Sequence, residues 1–122
     1  MAGEHWKKRP AAKDYAGAQS YLSLLVGVAA AKKLVQDLHQ QDRLVAFAAK
    51  DLLRASNLEL LDPDDSEVAA DLEKVSNGTK LTPVLLVEGT PLWIADGYHR
   101  VCASYHLDEK AAVHCRIVPR PR

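Results

Sequence analysis

The sequence lacks the features that mark most specialised classes of protein. It has no charge excess, since Lys and Arg together number 16 and so do Asp and Glu. Duplex DNA is held mainly by neutralising phosphates, which calls for a basic surplus, so this balance argues against sequence-specific DNA binding. Cysteine is scarce. Cys102 and Cys115 are the two present, both in apolar surroundings and neither in a Cys-x-x-Cys pair. They read as buried thiols in a reducing compartment. Long apolar runs are missing too. The longest, Leu22 to Ala31, is broken by Ser23 and Gly27 and is far below the roughly 20 residues a membrane span requires. The first ten residues contain no apolar segment of the signal-peptide kind. There is no internal repeat and no low-complexity stretch. These absences point to a cytoplasmic protein without a membrane segment. Its 122 residues suffice for one core held without disulfide or metal.

What is present divides the chain into parts. Residues 1–13 are polar and basic, with Lys7, Lys8 and Arg9 ahead of Pro10, and are expected to form a flexible tail that Trp6 can anchor. Residues 14–42 read as an N-terminal helical arm. Asp14 is a candidate N-cap, followed by Ala18, Tyr21, Leu22, Leu25 and Val26 at helical spacing. Gly27 ends that pattern, and Ala31, Leu34, Val35 and Leu38 begin a second one. From Arg43 the period changes. Strands are expected near 44–48, 83–88, 91–95 and 112–118, the middle two joined as a hairpin through Glu88-Gly89-Thr90-Pro91. Helical turns are expected at 50–55, 67–75 and 98–107, and residues 119–122 form a second tail. The fold class is α+β, a small mixed sheet packed with helices over residues 43–118.

One stretch carries chemistry: Asp96-Gly97-Tyr98-His99-Arg100, where a strand stops, a glycine turns and a helix starts. The first amides of a helix have no partner within it and lie at the positive end of its dipole, so such a junction favours anions, phosphate above all. Gly97 allows close approach of a ligand to the backbone. Arg100 can grip phosphate oxygens in a two-pronged fashion, and His99 can donate a hydrogen bond or carry a proton. Asp96 can accept from a hydroxyl, hold a metal or activate a nucleophile. The plainer alternative is that Asp96 caps the helix and Arg100 pairs with it. A zinc site is not expected. His99, Cys102 and His106 share one side of the helix, but Cys102 falls with Val101 and Tyr105 on its apolar face.

Thr82-Pro83-Val84-Leu85-Leu86-Val87, then Ile94-Ala95-Asp96-Gly97-Tyr98-His99-Arg100 and Ala103, then an apolar last strand, resembles the ParB/sulfiredoxin superfamily over about residues 44–118. The resemblance implies a nucleotide-phosphate site at this helix start, for ATP or CTP, with Mg²⁺ as companion. Members include a CTP-dependent DNA clamp, an ATP-dependent sulfinic acid reductase and a free serine kinase. It also implies that Gly97, Tyr98, His99 and Arg100 contact the ligand. Arg54 would approach the phosphates from the first strand's loop, and Asp96 and His99 are the candidate catalytic residues. Two departures narrow the activity. Tyr98 stands where the reductase carries its reactive cysteine, which argues against sulfinic acid reduction. Tyr98 and His99 replace Glu and Arg of the clamp motif, and the chain ends before the clamp's DNA-binding and dimerisation domains. The leading expectation is nucleotide or phosphate binding, extended to phosphoryl transfer or nucleotide hydrolysis. A non-catalytic nucleotide- or protein-binding module and a nucleic-acid accessory protein are the alternatives, and a homodimer is left open.

Overall fold

The uninterrupted run Val84-Leu85-Leu86-Val87 decides the architecture, because a strand apolar on both faces must be covered on both. The computed structural model describes residues 5–120. In it, β2 (Val84–Glu88) lies inside a four-stranded sheet with β1 (Val45–Ala48), β3 (Trp93–Asp96) and β4 (Ala112–Pro119), in the order β1-β4-β2-β3. β2 and β3 form the expected antiparallel pair. β4 runs antiparallel to β1 and parallel to β2, Val84 facing Cys115 and Val87 facing Val118. The helices are α1 (Ala12–Val26), α2 (Val28–Gln40), α3 (Ala49–Ser56), α4 (Ser66–Ser76) and α5 (Tyr98–Leu107). The fold is α+β, as the change of periodicity after Arg43 indicated.

Alternation along β2 separates two cores. Val84 and Leu86 join Ile94, Val113 and Cys115 under α3, α4 and α5, against Leu52, Val68 and Val101. Leu85 and Val87 face the other way, with Ala95 and Val118, onto Ala18 and Leu22 of α1 and Leu34 and Leu38 of α2. The helical arm is therefore the second cover of the sheet. Leu22, Leu34 and Leu38 are fully buried, each worth about 1.5–3 kcal/mol of hydrophobic stabilisation.

Both chain ends differ from the tails expected. Residues 1–4 of the basic tail lie outside the described residues. From His5 onward the segment pairs with Leu81: the Lys7 amide donates to the Leu81 carbonyl at 2.7 Å, and the Leu81 amide to the His5 carbonyl at 2.7 Å. Trp6 is 3% exposed and stacks on His114. Burial of that indole holds the segment down. At the other end β4 extends to Pro119, and the Arg120 guanidinium lies 3.5 Å over the Trp93 ring. Residues 121–122 lie outside the described residues. Asp14 is not the N-cap of α1. Ala11 holds that position, and Asp14, at the third helical position, accepts the Ala11 amide at 2.8 Å.

Cys102 and Cys115 are both fully buried. Burial raises the Cys102 thiol pKa and pushes that of Cys115 up to about 12. Neither thiol should react with iodoacetamide in the native protein at neutral pH, and both should do so in denaturant, which intact-mass spectrometry measures.

Candidate active site

β3 ends at Asp96, and Gly97 turns the chain at φ 110° and ψ 15° into α5. The first helical hydrogen bond into this turn runs from the Val101 amide to the Gly97 carbonyl, 3.0 Å. The amides of Tyr98, His99 and Arg100 precede it, at the positive end of the helix. To this point the geometry is that expected of the motif.

Arg100 departs from it. Its side chain is only 14% exposed and passes beneath α1. Nη1 lies 3.5 Å from Asp14 Oδ1, and Nη2 donates to Asp96 Oδ2 and the Pro83 carbonyl, both at 3.2 Å. Asp14 itself is 3% exposed. One guanidinium thus bridges two carboxylates from elements 86 and 4 residues away. Burial raises the Asp14 pKa, but the Ala11 amide, the Thr82 side chain and Arg100 outweigh it, leaving this carboxyl below its ordinary value. Asp96 goes the other way. Burial, which Arg100 offsets only in part, and the neighbouring Asp14 push it from 3.8 up to about 6. The two carboxyls on one cation titrate as a pair, and Asp96 is the one whose proton is held more tightly.

That proton has a measurable consequence. Folded Asp96 holds a proton more tightly than the unfolded chain does. Its contribution to stability is therefore complete below pH 3.8 and is lost as the pH rises through about 6. Asp96→Asn should remove this part of the fall, so the stability difference between wild type and variant should change across that window and be flat outside it. Urea unfolding of both proteins as a function of pH measures it.

The other motif residues are engaged with different parts of the fold. The Tyr98 hydroxyl donates to the Glu59 carbonyl. His99 Nδ1 lies 2.7 Å from Glu67 Oε2, and its Nε2 3.9 Å from Asp65 Oδ1. Asp65 is the N-cap of α4, accepting the Glu67 and Val68 amides. Arg54 is not brought to the motif. It stands 79% exposed on α3, 4.0 Å from Asp51, beside a depression it shares with Lys50 and Tyr105. Two further cavities meet the motif. Asp96, Gly97 and Tyr98 line one of about 280 Å³ with Gly17 and Tyr21. Arg100 lines another of about 160 Å³, together with Lys7, Lys13, Lys74, Lys80 and Asp71. The motif's backbone and its guanidinium therefore open onto different spaces. Asp14, Lys74 and Lys80 lie around Arg100, and motif reading did not point to them. They come from other elements, and Asp14 carried only the signal of a helix cap.

Among the described residues, no group of three His, Cys, Asp or Glu side chains is arranged to hold a metal ion. Asp14 and Asp96, the two carboxylates of the cluster, are taken up by Arg100, so this donor set does not fit a protein-held Mg²⁺. No family model, no curated protein and no solved structure matches the chain.

Proposed function

We propose that the chain is a small ParB/sulfiredoxin-like domain that binds the phosphate of a nucleotide or another phosphorylated ligand, with the phosphate seated in the cavity at Arg100. The strand–Asp–Gly–helix motif supports the family reading. The observation that carries the phosphate is the concentration of charge. In a chain whose charges balance, Lys7, Lys13, Lys74, Lys80 and Arg100 line one 160 Å³ cavity whose lining carries a single carboxylate, Asp71. That carboxylate lies 3.8 Å from the Lys74 ammonium, and burial raises its pKa. Thr79 adds a hydroxyl donor to the lining. Arg100 Nε is buried without an acceptor among the described residues.

Phosphoryl transfer or hydrolysis would draw on Asp96, the carboxyl that changes charge near pH 6. A binding module without catalysis is favoured by a separate observation, the commitment of His99 to Glu67 and Asp65. In either form Mg²⁺ would arrive with the phosphates of the nucleotide, keeping its waters.

Calorimetric titration of orthophosphate, ADP, ATP and CTP tests the reading. Lys74→Ala/Lys80→Ala removes two exposed cations, leaving the cores and the Arg100 bridge in place. The expected result is binding by wild type and a loss of about tenfold or more in the double variant, the order expected of charge-assisted hydrogen bonds. No binding by wild type, or equal binding by both proteins, contradicts it.

A further inference from the structure

A larger cavity lies elsewhere. It has about 800 Å³ and is lined by Lys8, Arg9, Tyr15, His39, Asp42 and Arg116 among others. Arg116 sits on β4 and is only 7% exposed. A buried guanidinium is costly unless its charge is met. Here it is met on one nitrogen only. Nη1 donates to the Tyr15 hydroxyl at 3.0 Å and to the Leu38 and His39 carbonyls at 3.3 Å each. Those acceptors are neutral, the two carbonyls belonging to the last turn of α2, whose negative end suits a cation. Nε is buried with no partner, and Arg116 forms no ion pair with a carboxylate among the described residues. Arg116 lines a cavity whose other charged walls are Lys8, Arg9 and one carboxylate, Asp42. Tyr15 and His39 stack at 4.6 Å between ring centres, leaving the His39 ring exposed beside this guanidinium.

We infer that this cleft between β4, the end of α2 and the segment before α1 is a second binding site, for a small organic anion carrying a planar ring. A phosphate or carboxylate would pair with the Arg116 guanidinium where it lines the cleft, with Lys8 and Arg9 closing over it, and the ring would lie on His39. A role confined to tying down the end of α2 would need only Nη1. It gives no reason for two cations at the mouth or for the unpartnered Nε.

The test follows the Arg116 Nε–H resonance by ¹⁵N-edited NMR, a readout at this cleft that binding at Arg100 does not mimic. Phenyl phosphate, orthophosphate and phenol are titrated into wild type and Lys8→Ala/Arg9→Ala, whose changed side chains are exposed. The expected result is a saturable shift of that resonance with phenyl phosphate, at lower concentration than with orthophosphate and not with phenol. The double variant should bind phenyl phosphate several-fold more weakly. An Nε–H that stays still at millimolar phenyl phosphate overturns the site. A phenol shift as large as that of phenyl phosphate overturns its anion character, and equal affinity for both phosphates overturns the ring platform.

Discussion

Arg100→Ala is expected to lower the stability of the fold by about 3–5 kcal/mol, the range for removing one partner of a buried charge pair. At the sequence level the same change reads as a loss of ligand affinity, with little effect on folding if the side chain is exposed. The structure gives it a different meaning. The guanidinium is the cation on which Asp14 and Asp96 both depend, and it also satisfies the Pro83 carbonyl ahead of β2. Without it, Asp14 stays almost fully buried as an uncompensated charge. Both carboxyls should then titrate higher, since Arg100 holds each of them down. The destabilisation should accordingly be larger above pH 6 than in acid, where both groups are protonated. Urea denaturation at the two extremes gives both numbers. A loss below about 1 kcal/mol, the scale of an exposed ion pair, would show that the three-residue bridge does not hold α1 to the sheet.

Gly97→Ala should cost about 2–4 kcal/mol from two additive sources. The backbone at φ 110° is strained for any L side chain, and a Cβ would meet Val84 Cγ2 and Arg100 Nη2, each at 2.8 Å. Val84 is core and Arg100 is fixed by its acceptors, so neither can move aside cheaply. Gly78 supplies the control, a glycine just past the end of α4 with a positive φ of 78° and nothing within 4 Å of the added carbon. Gly78→Ala should therefore show the backbone term alone, about 1–2 kcal/mol. Thermal or chemical unfolding of the two variants side by side separates strain from collision. Equal losses would mean that the space above Gly97 is not as filled as the Val84 and Arg100 contacts require.

These expectations mark where sequence stops being sufficient. Periodicity located the helices and strands because each pattern is local: the run Val84 to Val87 fits a buried strand, and Gly27 and Gly97 punctuate as such residues do. The strand-to-helix motif was legible for the same reason. What motif spacing could not convey was direction. Arg100 turns under α1 because Asp14, 86 residues earlier, is buried there, and no short-range pattern distinguishes a buried carboxylate from a helix cap. His99 is drawn to the start of α4 by Glu67, a contact that exists only because α4 and α5 pack together. The role of the first two helices was missed likewise. Their apolar stripes were plain, but which surface they cover depends on the sheet having a second apolar face. The basic cavity was the least legible, since Lys7, Lys13, Lys74 and Lys80 come from separate segments of a chain with balanced charge.

The claim that most needs a direct measurement is that phosphate enters at Arg100. A ¹H–¹⁵N titration of wild type with orthophosphate and ATP resolves the alternatives residue by residue. Saturable shifts are expected in the amides of Lys74, Thr79, Lys80 and Thr82 and in the Arg100 Nε–H, reduced in Lys74→Ala/Lys80→Ala. Spectra unchanged at those positions, with or without shifts elsewhere, would contradict it.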